Sequence, residues 1–305
     1  NGTLNARGSS SNPINFNGGR IISTATSQNW TEDKNSGSII ENANINSAIQ
    51  TFSSPKITAS KVYSILMIEG SPLITNNVLK ADVSVLLGSP LISGNEVINC
   101  QIKTYLGRAA GYLPIISSNR ITGGGIACYG GNGYGGYANI TGNIVSGCQI
   151  GILGGDAVIE GNYINNNELG VEILNGIIRN NTILNNSIGI KISKQTAYFF
   201  GYGELNVTPI IAYNNIIGNS NTSIHSTVSK NDIDATNNWW GTTDANAIDQ
   251  SIYDSKNDFT LGTVNYSPFL SEANLEAPTI NMPIATPTTT STVPELYWLA
   301  IVPLL

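Results

Sequence analysis

Apolar residues in this chain alternate with polar ones in short runs, and glycine or asparagine breaks each run, as in Gly189-Ile190-Lys191-Ile192. Alternation at period two predicts short strands joined by tight turns. The runs also repeat. Val158-Ile159-Glu160-Gly161-Asn162-Tyr163-Ile164 aligns with Ile177-Ile178-Arg179-Asn180-Asn181-Thr182-Ile183 at an offset of 19, and Leu169–Ile173 aligns with Ile188–Ile192 at the same offset. One unit earlier, Asn143-Ile144-Val145 and Ile150-Gly151-Ile152 fall in the same columns, while Ser54-Pro55, Ser71-Pro72 and Ser89-Pro90 recur upstream.

An amide column sets the register: Ala43, Ser60, Asn77, Asn95, Asn119, Asn143, Asn162, Asn181, Asn215 and Asn238, at intervals of 17, 17, 18, 24, 24, 19, 19, 34 and 23. Near-constant spacing, with the excess confined to a few places, describes a coil repeated about ten times with loops inserted. The repeated unit holds no helix-forming stretch, and a six-residue period is absent. Three short strands per turn fit this length, which predicts an all-β fold, a right-handed parallel β-helix over residues 1–241. Equivalent side chains then stack about 4.8 Å apart. Ile74, Ile92, Ile116, Ile144 or Val145, Ile164 and Ile183 are expected in inward apolar columns. An inward asparagine at each bend can bond the amides above and below it, which satisfies a group that is otherwise costly to bury.

Composition agrees with that architecture. The 305 residues include 40 asparagines and 32 glycines but only 14 Lys plus Arg, and the net charge is −6. Without a basic excess the chain cannot hold a phosphate backbone, so no nucleic-acid partner is expected. Asn also tolerates the left-handed backbone of tight bends, a second reason for its abundance. Cys100, Cys128 and Cys148 form no Cys-x-x-Cys pair, so no metal site is expected from them. They read as small core residues, with one Cys128–Cys148 disulfide as the alternative.

The C-terminal end has its own pattern. Asn237-Asn238-Trp239-Trp240-Gly241 brings two large aromatics, Trp239 and Trp240, to close the last coil. Residues 242–270 read as a cap: a short amphipathic helix within Thr242–Tyr253, with Asp244 as N-cap and Ile248 and Ile252 on one face, then a closing strand over Thr263–Leu270. Residues 271–293 are rich in Thr and Pro and read as an extended stalk. Residues 294–305 are apolar but too short for a bilayer span, which needs roughly 20 residues. They read as the start of a truncated membrane anchor, and the absence of an initial Met and leader reads as a fragment.

The Asn237–Gly241 run, Ile252-Tyr253-Asp254 and Val264-Asn265-Tyr266-Ser267-Pro268-Phe269-Leu270 resemble the closing module of right-handed β-helix surface proteins of archaea and some bacteria, with a pectate-lyase-like fold. The stalk and Val293–Ile301 are similar to membrane-proximal segments of archaeal exported proteins. The resemblance covers essentially the whole chain. It implies an extracellular, cell-surface location with a C-terminal tether, and it carries no catalytic residues with it.

Two lengthened loops stand out, Cys128–Ala138 and Ala197–Glu204. Function concentrates in such loops on a rigid scaffold. Their Tyr129, Tyr134, Tyr137, Tyr198 and Tyr202 are candidates for stacking on sugar faces, with packing against the coil as the alternative. Enzyme chemistry is less legible. A glycosidase needs two carboxyl groups flanking one bond, but the outward column Leu153–Glu172–Lys191 sets an acid beside a lysine, and Glu160–Arg179 reads as a cross-coil ion pair. Asp232 and Asp234 read as turn residues. Arg120 is the first choice among the few arginines for a lyase base, and a lyase would also want Ca2+ held by clustered acids. His225 is the sole histidine, which removes multi-histidine metal sites. No cofactor motif is present. The expectation is a non-catalytic extracellular module, structural or glycan-binding and adhesive, with a polysaccharide lyase or glycoside hydrolase as the alternative.

Overall fold

The computed structural model describes residues 2–105, 111–130, 136–193, 207–228 and 231–279. It is a right-handed parallel β-helix. Three parallel sheets of 12, 10 and 11 strands run along the molecule, and each complete coil contributes one strand to each sheet. The first sheet starts at Asn5–Arg7 and ends at Val264–Asn265; the second spans Ile14–Phe16 to Asn215–Ile217; the third spans Arg20–Ser23 to Ile252–Tyr253.

The inward columns are apolar and closed to solvent. In the first sheet Ile74, Ile92 and Ile116 continue into Ile140, Ile159, Ile178 and Ile211. Val145, Ile164 and Ile183 belong to the second sheet, where Val145 rather than Ile144 points inward. Each fully buried isoleucine contributes about 1.5–3 kcal/mol.

At the corner between the first two sheets, polar side chains form a continuous buried file. The Oδ1 atoms of Asn77, Asn95, Asn119, Asn143, Asn162, Asn181, Asn214 and Asn238 each accept the backbone N–H of the preceding file member at 2.8–3.0 Å. Each Nδ2 donates to the carbonyl of the inward apolar residue one coil back at 2.8–2.9 Å. Ser60 extends the file with its hydroxyl, which accepts from the Ala43 N–H. The residue before each member has positive φ: Asn76, Gly94, Ser118, Gly142, Gly161, Asn180, Tyr213 and Asn237. Asparagine therefore serves twice, as the buried amide and as a residue that tolerates the bend.

Asn215 is a correction. The file member is Asn214, because the amide must lie three residues after the inward isoleucine, as Ile178 is followed by Asn181 and Ile211 by Asn214. Asn215 instead exchanges hydrogen bonds with the backbone of Asn274, at 2.8 and 3.0 Å. A second file, not expected, lies at the corner before the third sheet: Cys148, Asn167, Asn186 and Asn219, each N–H bonding the next Oδ1. Three glycines follow it at Gly151, Gly170 and Gly189. A Cβ on any of them would lie 2.6 Å from a carbonyl oxygen of the next coil, so only glycine lets the coils stack there.

The cap departs from expectation in detail. The helix is Ala245–Gln250, capped by Asp244, whose side chain accepts from the Asn246 N–H; Ile248 is buried on it. Ile252 is buried too, but in a strand paired with Ile224 and not on the helix, because the third sheet resumes there. Trp240 closes the last coil, edge-on to Tyr266 with centroids 6.3 Å apart. Trp239 is a correction: it is only half-buried, and its backbone continues the second sheet by bonding Asn214 and Ile216. Residues 271–279 do not leave as a stalk. They fold back on the second sheet, where Asn274 bonds Asn180, Tyr213 and Asn215, and the Thr182 hydroxyl donates to the Pro278 carbonyl at 2.6 Å. The remainder of the expected stalk and the apolar end lie outside the described residues, among which no helix is long and apolar enough to cross a membrane.

Candidate functional site

The outer face of the third sheet gathers the polar and aromatic groups that the core does not use. One outward column runs from Ile22 by unbroken register through Lys103, Ala127, Leu153, Glu172, Lys191 and His225 to Tyr253. The alternation of each strand puts its inward neighbours, such as Val171, Ile190 and Ile224, in the core and turns this column away from it, although Ala127 and Glu172 are themselves covered.

Two residues beyond Lys103 and Ala127 in the same strands' direction, Tyr105 and Tyr129 stand one coil apart. Their rings are stacked, with centroids 5.4 Å apart and planes 22° apart, and they remain 45% and 38% exposed. The Tyr129 N–H bonds the Thr104 carbonyl and the Tyr105 N–H bonds the Val85 carbonyl, so the sheet ladder itself sets the ring spacing. Lys103 lies beside them, tied to Asp82 at 2.6 Å. Burial alone would raise the Asp82 pKa, but the Lys103 ammonium and the Gln101 N–H hold it below the ordinary carboxylate range.

Further along the same face lies a groove of about 560 Å³. Ile150, Leu169 and Ile188, one per coil, line one side; Glu172, Lys191 and His225 line the other. Glu172 is nearly enclosed and accepts the Ser193 hydroxyl at 2.5 Å, with the Lys191 ammonium 3.8 Å away. His225 lies flat on Tyr253, centroids 4.5 Å apart. Burial and the Lys191 charge both depress its pKa, so the ring is neutral at pH 7.

Of the residues expected from the sequence, Tyr129 is exposed and stacked and Tyr137 is half-buried; Tyr134, Tyr198 and Tyr202 lie outside the described residues. Glu160 and Arg179 form the cross-coil pair at 2.9 Å, on the first sheet and away from the groove. Asp232 and Asp234 accept the N–H groups of Thr263 and Thr236. Arg120 stands opposite Glu96 on the second sheet. The three cysteines are buried and unpaired, which corrects the disulfide alternative for Cys128–Cys148. Among the described residues no group of three or more His, Cys, Asp or Glu side chains converges to hold a metal ion. Sequence reasoning missed Tyr105, although it precedes Tyr129 by 24 residues, the same interval that separates Asn95 from Asn119.

Compared with protein-family models, curated proteins and solved structures, the chain finds no match in any of the three.

Proposed function

We propose that this chain is a non-catalytic, extracellular glycan-binding module that holds a polysaccharide along the outer face of its third sheet. The Tyr105–Tyr129 stack carries this reading: two exposed rings, held by the backbone ladder at 5.4 Å, offer a rigid apolar platform for the C–H faces of sugar rings. The groove continues that platform along the axis. From the strand before Tyr105 to the strand of His225 there are five coil steps, about 24 Å in all. A linear polymer parallel to the axis meets both. The surface location and membrane tether rest on the sequence, namely the Thr- and Pro-rich run after residue 279 and the apolar end.

Native gels cast with soluble polysaccharides test the reading. The parent protein is retarded, and Tyr105→Ala and Tyr129→Ala each weaken retention about two- to tenfold, since an aromatic contact is worth roughly 0.5–1.5 kcal/mol. Unchanged retention in the folded double variant would defeat the proposal.

A hydrolase or lyase is the second reading, favoured by Glu168 and Glu172 lining one groove with Lys191 and His225. Four residues along a strand separate the two glutamate Cα atoms by about 13 Å. Glu172 is further occupied by Ser193 and Lys191. Release of reducing ends or unsaturated products, abolished by Glu172→Gln, would establish that reading in place of the first.

A further inference from the structure

We infer that the Glu172–Lys191 groove selects neutral sugars over acidic ones, through an adjacent pair of hydroxyls. This deepens the glycan reading above and rests on it. A hydroxyl both donates and accepts, whereas an ionised carboxylate only accepts and an ammonium only donates. Glu172 and Lys191 present one acceptor and one donor, 3.8 Å apart, on the same wall. Two neighbouring hydroxyls on a sugar ring meet that pair together, one donating to the Glu172 carboxylate and the other accepting from the Lys191 ammonium. The facing row of Ile150, Leu169 and Ile188 covers the apolar side of the same ring.

Charge selects against acidic sugars. Glu172 and Lys191 neutralise each other, and Glu168, exposed at the groove edge, has no ion-pair partner among the described residues. A uronate would bring its carboxylate against Glu168 and Glu172. His225 closes the end of the row as a ring stacked on Tyr253 and adds no charge at pH 7.

Calorimetric titration with two polymers at pH 7 tests the inference: galactomannan as the neutral probe and polygalacturonate as the acidic one. Galactomannan is expected to bind at least tenfold more tightly than polygalacturonate. Glu172→Gln and Lys191→Met each weaken it by about tenfold or more, the scale of one hydrogen bond to a charged group. The double variant, which removes both charges of the buried pair together, serves as the folded control if Lys191→Met alone unfolds, and it too binds galactomannan weakly. Equal or tighter binding of polygalacturonate overturns the neutral-sugar selection and leaves the glycan reading standing. Galactomannan binding that neither variant changes also overturns it. Failure of both polymers to bind overturns the glycan reading along with it.

Discussion

The imidazole of His225 lies 4.5 Å from the ring of Tyr253, the two planes 16° from parallel, as neighbours in one outward column of the third sheet. Lys191 precedes His225 in that column and Glu172 precedes Lys191. Burial against Tyr253 comes first, and the Lys191 charge second, in lowering the His225 pKa below its ordinary 6.5. The unfolded chain therefore takes up the proton more readily than the folded one. The contribution of His225 to stability is complete above pH 6.5 and is lost as the pH falls from there through the folded value. Because the chain has a single histidine, one NMR signal reports it. Its midpoint is expected below 6.5 in the folded protein and to rise in Lys191→Met. A midpoint at or above 6.5 would contradict the packing described.

The amide file makes a larger demand on stability. Asn162→Ala removes the acceptor of the Asn143 N–H and Nδ2 and the donor to the Ile140 carbonyl. Each buried polar group left without a partner costs about 1–3 kcal/mol, so the variant is expected to lose about 3–5 kcal/mol. Asn139→Ala, at an outward position of the first sheet, should stay within about 0.5 kcal/mol. Denaturant titration of both variants, with fluorescence and circular dichroism followed together, checks the contrast. Similar midpoints for the two would remove the file from the account of stability.

The thiols give a third test. Burial pushes Cys100 and Cys128 up to about 11 and raises Cys148 as well. Only the thiolate is reactive, and all three sulfurs are enclosed. A thiol reagent at pH 8 should leave the folded protein unlabelled and modify three groups after unfolding in guanidinium. Rapid labelling of the native protein would show an accessible thiol where the structure places a core residue.

Much of the fold could be read from the sequence because one physical constraint recurs. An inward isoleucine followed three residues later by a buried amide needs a fixed bend, and Ile74–Asn77, Ile92–Asn95 and Ile159–Asn162 repeat it. At Asn214-Asn215 the side chains are identical, and only the distance from Ile211 tells which one turns inward. The second file hides because its upper member is Cys148, a sulfur where the pattern led one to look for an amide. The site was less legible. Glu172 and Lys191 are 19 residues apart, whereas the 34 residues from Lys191 to His225 conceal that the two side chains are neighbours. Tyr105 lies outside the Gly- and Tyr-rich loop that drew attention to Tyr129, and the sheet register alone brings the two rings together. Composition also misled at 271–279, where Ser, Ala and Pro suggested a free stalk, but Asn274 fastens the segment to Asn215.

Hydroxyl-radical footprinting with and without saturating galactomannan tests the central claim most directly. Tyr105 and Tyr129 should become protected together, while Tyr63 and Tyr213, comparably exposed at 42% and 49% but at the ends of other strands, keep their reactivity. Protection of Tyr63 or Tyr213 with Tyr105 and Tyr129 unchanged would place the ligand elsewhere and contradict the account.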